Sequence, residues 1–207
     1  MKPILPLAAA LLATLVAAPA FAQEGAPAAS ISAAAPPAKR GSFVTQLELL
    51  PRGKLTFGVG DDRASTATAT AYGVGVTLAH DVTPNLSIGV APRMLLGVAG
   101  EHATALGKQL DLRARVALHA PISRALQLYG FLEPGYSFIF VPGNEGDDPS
   151  GFVVAFGGGA SVDLPQNAFL IAEVGYQLGF QSIALPQQDL ELSTDYLALG
   201  LGAGTRF

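Results

Sequence analysis

The chain has 207 residues, 50% of them hydrophobic and only 14% charged, with a net charge of −4. Soluble domains carry roughly a quarter charged residues, yet beyond residue 22 no stretch offers the ~18 consecutive apolar residues of a spanning helix. The negative balance argues against nucleic acid as a partner, and the absence of cysteine removes disulfides, thiolate nucleophiles and zinc–sulfur sites.

In chain order, residues 1–22 read as a secretory signal peptide. Lys2 is the positive start, Ile4–Val16 the short apolar stretch, and Ala20-Phe21-Ala22 the small-x-small cleavage site. Residues 23–41 are rich in Ala, Pro and Ser without aromatics or periodicity, the composition of a flexible tether. The folded part is therefore expected over residues 42–207.

From there the pattern alternates with period two and is punctuated by turn residues. It predicts eight strands, over Phe43–Val59, Thr70–Ala79, Leu86–Val98, Lys108–His119, Leu126–Val141, Gly151–Val162, Phe169–Phe180 and Leu192–Phe207. Short connectors holding proline (around Pro84, Pro121 and Pro165) alternate with longer polar ones at Asp61–Ala69, Ala99–Gly107, Pro142–Ser150 and Gln181–Glu191. An apolar chain built from strands can span hydrocarbon only as a closed barrel, where every backbone N–H and C=O is paired. The fold class is thus all-β, an eight-stranded antiparallel up-and-down transmembrane barrel. Pro51 interrupts the first strand, and a proline inside a closed sheet requires a bulge; otherwise Phe43–Leu50 lies outside the barrel.

The alternation also assigns faces. Leu197, Leu199, Leu201, Ala203 and Thr205 alternate with Ala198, Gly200, Gly202, Gly204 and Arg206, and Leu110, Leu112, Ala114, Val116 and Leu118 alternate with Asp111, Arg113 and Arg115. Charges and glycines share one face. A soluble barrel of the lipocalin kind has the opposite polarity, so the apolar face here meets lipid.

The C-terminal run L-A-L-G-L-G-A-G-T-R-F, with Leu199, Leu201 and the terminal Phe207 on its apolar face, resembles the assembly signal of outer-membrane barrels. Residues 41–207 as a whole resemble the OmpA/OmpX/OmpW-like barrels. The resemblance implies insertion by the barrel-assembly machinery after escort by periplasmic chaperones, both termini in the periplasm, and contact with outer-membrane lipid and lipopolysaccharide as a monomer. The peptidoglycan-binding domain of OmpA proteins is not expected, since nothing follows Phe207.

Strands five and seven echo each other in Leu132-Glu133-Pro134-Gly135-Tyr136 and Ala172-Glu173-Val174-Gly175-Tyr176, with Glu inward and Tyr outward. The expected lumen set is Arg93, Arg113, Arg115 and Arg206 against Asp111, Glu133 and Glu173, with a hairpin centred near Ser123 setting Arg113 opposite Glu133. An eight-stranded lumen is just wide enough for side chains to fill, so these charges read as a salt-bridged plug, or alternatively as the lining of a narrow conduit. Tyr136, Tyr176, Phe138, Phe140 and Phe180 read as an interfacial girdle. Gly157-Gly158-Gly159 lies inside a strand and is no phosphate loop.

No enzymatic chemistry is expected. His80, His102 and His119 show no hydrolase-like Ser/Asp arrangement and no metal-ligand spacing; no metal or cofactor is implied. Asn144, Glu145, Asp147 and Asp148 fit no defined calcium loop and read as a solvated acidic loop. The sequence therefore points to a bacterial outer-membrane barrel with a structural, envelope-integrity role. A narrow pore is the alternative, and a lipid-modifying enzyme a distant third. Deleting Phe207 should sharply reduce the heat-modifiable, folded form in membranes while export continues. Wild-type levels of folded barrel in the deletion would refute the assembly-signal reading.

Overall fold

A computed structural model describes residues 41–98, 107–140, 148–184 and 189–207. The expected leader (residues 1–22), residues 23–40 of the expected tether, and the loop residues His102, Asn144, Glu145 and Asp147 lie outside the described residues; Gly41, the last residue of that tether, opens the first strand instead.

Eleven strand segments make one antiparallel sheet: β1 (Gly41–Leu50), β2 (Gly53–Val59), β3 (Asp62–Ala67), β4 (Ala71–Thr83), β5 (Leu86–Val90), β6 (Arg93–Val98), β7 (Gly107–Pro121), β8 (Leu126–Phe140), β9 (Ser150–Asp163), β10 (Ala168–Ala184) and β11 (Asp189–Arg206). They are broken pieces of eight staves. β1 and β2 share the first, since β11 pairs with β1 at its lower end and with β2 at its upper. β3 and β4 share the second, and β5 and β6 the third. The ring closes between the first stave and the last, where Gly41 and Phe207 exchange both backbone hydrogen bonds.

Two of the breaks have a clear cause in proline. Across Pro51-Arg52 the register against β11 slips by one residue, from Leu49↔Leu199 to Gly53↔Tyr196. That is a bulge, and it switches the inward positions from Gln46 and Glu48 in β1 to Gly53 and Leu55 in β2. Pro92, without an N–H, divides β5 from β6, although its carbonyl still accepts from Val76 at 3.0 Å. The expected polar loop at Asp61–Ala69 is largely strand instead. β2 turns back through Gly60-Asp61 into β3, and Gly60 takes the left-handed φ of 58° that this tight turn needs. Similarly β10 runs to Ala184 and β11 begins at Asp189, so the connection between them is shorter than expected.

The outer surface carries an apolar belt, with Leu47, Tyr72, Val74, Leu112, Val116, Leu170, Val174 and Leu201 all exposed. Tyr136, Phe152 and Phe180 stand side by side in register across β8, β9 and β10, forming part of an aromatic row on this face. Small apolar clusters fill the interior: Leu55, Ile139 and Leu192; Leu50, Ala71, Leu95, Val98 and Tyr196; and Val44, Phe169 and Ile171. The end bearing the short turns and both edges of the closing seam is the periplasmic end in barrels of this kind. Cysteines placed at Val116 and Leu199 should be relaxed by a lipid-soluble paramagnetic agent when spin-labelled, and one at Ala117 should not. Equal accessibility at Val116 and Ala117 would refute the face assignment.

Candidate functional site: a chain of buried ion pairs

At mid-height the inward positions of five staves converge. β1 contributes Gln46 and Glu48, the third stave Arg93, β7 Gln109, Asp111, Arg113 and Arg115, β8 Tyr129, Phe131 and Glu133, and β10 Glu173 and Gln177. Their charges alternate along one continuous path. Asp111 accepts from Arg93 at 2.9 Å, Arg93 also donates to Glu48, and Glu48 lies 3.9 Å from Arg113. Arg113 reaches Glu133 at 2.6 Å, Glu133 accepts from Arg115 at 2.5 Å, and Arg115 reaches Glu173 at 2.5 Å. Every one of these side chains is at least nine-tenths buried.

The chain begins and ends on a carboxylate, so its two ends need donors that are not cations. At one end Gln109 and Gln177 donate amide hydrogens to Asp111, at 2.8 and 3.3 Å. At the other Gln46 and the Tyr129 hydroxyl each donate to Glu173 at 2.8 Å. The Arg115 guanidinium also lies over the Phe131 ring, 4.4 Å from its centroid, a favourable cation–π placement.

Glycine makes the space for this assembly. A Cβ at Gly200 would sit 2.0 Å from the Gln46 amide nitrogen, so a side chain there would push Gln46 off Glu173. Cβ atoms at Gly157 and Gly159 would meet the Phe131 ring at 2.9 Å and the Tyr129 hydroxyl at 2.8 Å. The glycine run inside β9 is thus a flat bed for two inward aromatic rings of β8.

Of the lumen residues expected from sequence, Arg93, Asp111, Arg113, Arg115, Glu133 and Glu173 are brought together in this chain. Arg206 is not. It pairs with Asp163 near the periplasmic rim and lies over the Phe169 ring at 4.6 Å. The β7–β8 register is also two residues from the expected one: Arg113 lies opposite Gly135, which sets Arg115 rather than Arg113 across from Glu133, and Arg113 reaches Glu133 diagonally. Glu48 and its neighbour Gln46 were missed. Their signal was present as inward positions two apart in β1, obscured by the doubt that Pro51 casts on that strand. The structure adds one contact that the sequence did not show, the Ser87 hydroxyl lying 2.8 Å from His119 Nε2. No carboxylate is hydrogen-bonded to that imidazole among the described residues, although Asp81 acts on it electrostatically. His80 is exposed, and no cluster of potential metal ligands occurs among the described residues.

A closed antiparallel ring with lipid-facing apolar residues and a charged interior defines a transmembrane β-barrel. The family model described as outer membrane protein beta-barrel domain matches residues 8–207, and the chain belongs to that family. Its place is accordingly the bacterial outer membrane. No curated protein matches it significantly. Among solved structures it is similar in fold to OprG of Pseudomonas aeruginosa, with 18% identity, a TM-score of 0.54, and coverage of 82% of this chain and 97% of that one. Neisserial surface protein A gives 12% identity and a TM-score of 0.51 over 80% of this chain and 97% of its own. AlkL in lipid bilayers gives 18% and 0.51 over 89% and 96%.

Glu133 is the shared acceptor of two guanidiniums, whereas loss of Arg113 leaves Glu133 held by Arg115 and Glu48 held by Arg93. Glu133→Gln should therefore cost ~3–5 kcal/mol, the range for an uncompensated buried charge, and Arg113→Met less. The double substitution should cost less than the sum of the singles. Urea unfolding of the refolded barrel in detergent micelles measures all four species; additive, sub-kcal effects would refute coupling.

Proposed function

We propose that the protein is a structural component of the outer membrane, a barrel sealed by its own side chains that contributes to envelope integrity. The observation that carries this reading is the ion-pair chain. The free space beside it is a cavity of only about 30 Å³, room for one or two waters. Sealing suits such a role, because a barrel with a firmly cross-linked interior adds rigidity to the membrane without adding a leak. On this reading the surface partners are outer-membrane lipid and lipopolysaccharide, with the assembly machinery and periplasmic chaperones engaged during biogenesis. The barrel acts as a monomer without enzymatic activity.

A second reading, a narrow conduit, draws on one specific feature. On the extracellular side of the chain Gln177, Gln181, Ser137, Thr194 and Tyr196 are buried and carry polar atoms without a protein partner. Buried polar atoms of this kind usually hold water, so that half of the lumen supports a hydrated path that a rearranged ion chain would complete.

Planar-bilayer recording of the refolded barrel separates the two. The sealed barrel should give no discrete conductance steps, and Arg93→Ala with Arg113→Ala, which empties the middle of the chain, should introduce them. Stable steps in the unaltered protein would overturn the structural reading in favour of the conduit.

A further inference from the structure

Free space inside the barrel is unevenly distributed. Below the ion-pair chain the inward positions become small or hydroxylic, with Ser42, Thr77, Ala79, Ser87, Ala117 and Ser161 in the wall. The result is a cavity of about 240 Å³, against about 30 Å³ at the level of the chain. Arg115 and Glu173, the last two members of the chain, form part of its lining, and the short turns supply its rim through Pro84, Ser123 and Arg124. It is therefore a vestibule entered from the periplasmic side and closed above by the ion pairs.

Its walls differ in chemistry. On one side Val44, Phe169 and Ile171 pack as a buried apolar cluster. That cluster is seated closely on β11: a Cβ at Gly204 would lie 2.6 Å from the Phe169 ring and 2.9 Å from Val44. On the other side Asp81 of β4 faces Ser87 of β5 in direct register, and Ser87 is bonded to His119 of β7. Most charges in the vestibule are already matched: Arg206 with Asp163, and Arg115 with Glu133 and Glu173. Two stand differently: Asp81 has only the His119 imidazole as an electrostatic neighbour, and Arg124 stands exposed on the turn at the rim. Neither takes part in a guanidinium–carboxylate pair among the described residues, and both line the same cavity.

From this arrangement we infer that the vestibule is a binding site for a small amphiphilic zwitterion, a short peptide of one or two residues with an apolar side chain. Asp81 takes the ammonium group, Arg124 the carboxylate, and the Val44–Phe169–Ile171 wall the side chain. The size follows from the volume, which lies below the roughly 300–1,000 Å³ of pockets for drug-sized ligands. The charge pattern follows from what the wall leaves unmatched. A cationic ligand would leave Arg124 unanswered, and an anionic one would leave Asp81 facing its charge.

The test uses the refolded full chain in detergent micelles and isothermal titration with leucyl-leucine, its N-acetyl derivative and its C-terminal amide. Leucyl-leucine should bind saturably at one site, with each blocked form weaker by about tenfold, the worth of one charge-assisted contact. Asp81→Asn should abolish the preference for the free amine while keeping the preference for the free acid. Arg124→Gln should do the converse, and Ala117→Phe should fill the vestibule and remove binding altogether. Heat-modifiable migration verifies that each variant is folded. Absence of saturable binding to the unaltered barrel would overturn the inference, as would equal affinity for the free and blocked peptides or indifference to both charge substitutions. Sealing of the lumen is judged separately by conductance: a silent barrel that binds no dipeptide refutes only the vestibule, and a conducting barrel that binds it refutes only the seal.

Discussion

The interior depends on one constraint: an eight-stave lumen is too narrow to solvate charges, so any charge placed there must be neutralised by its neighbours. Isolated ions removed from water cost several kcal/mol each even after relaxation. The protein meets this with strict alternation of carboxylate and guanidinium from Asp111 to Glu173 through three arginines. Because the chain has one more carboxylate than guanidinium, neutral donors close both ends. Gln109 and Gln177 serve one terminus, and Gln46 and Tyr129 the other.

Much of the surrounding architecture can be understood as accommodation of that chain. Arginine needs room for a planar fork, and the glycines supply it. Gly200 clears the Gln46 amide, while the β9 run lets Phe131 lie under the Arg115 guanidinium. Proline recurs beside the charges, with Pro92 before Arg93 and Pro134 after Glu133. Each removes a ladder donor next to a residue whose side chain is held by the lumen instead. The chain also divides the interior into an extracellular half, where unmatched amide and hydroxyl groups stand beside two apolar clusters, and a periplasmic half that is open and amphipathic.

The lipid-facing side obeys a simpler rule. Outward positions need only be apolar, so they repeat with period two, from Tyr72 and Val74 in β4 to Leu199 and Leu201 in β11. The charged inward positions are not interchangeable in this way, because each has a particular partner on another stave.

Barrel class, lipid face and most of the charged interior were legible in the sequence because they depend on a local property, the period-two alternation of each strand. Six of the seven expected lumen charges point inward and meet for that reason. What the sequence could not supply was height around the ring. Arg206 also occupies an inward position, but its height brings it to Asp163 near the rim and not to the chain. The β7–β8 register lies two residues from the turn-centred expectation, which keeps every side chain on its face and changes only its cross-strand partner. Glu48 became a link between Arg93 and Arg113 only through the pairing of β1 with β4 and β11, which holds unbroken up to the bulge at Pro51. Ser87 met His119 because neighbouring staves placed residues 32 apart in sequence side by side. Alternation is written residue by residue, whereas register is a property of pairs of strands, and only the closed ring determines it.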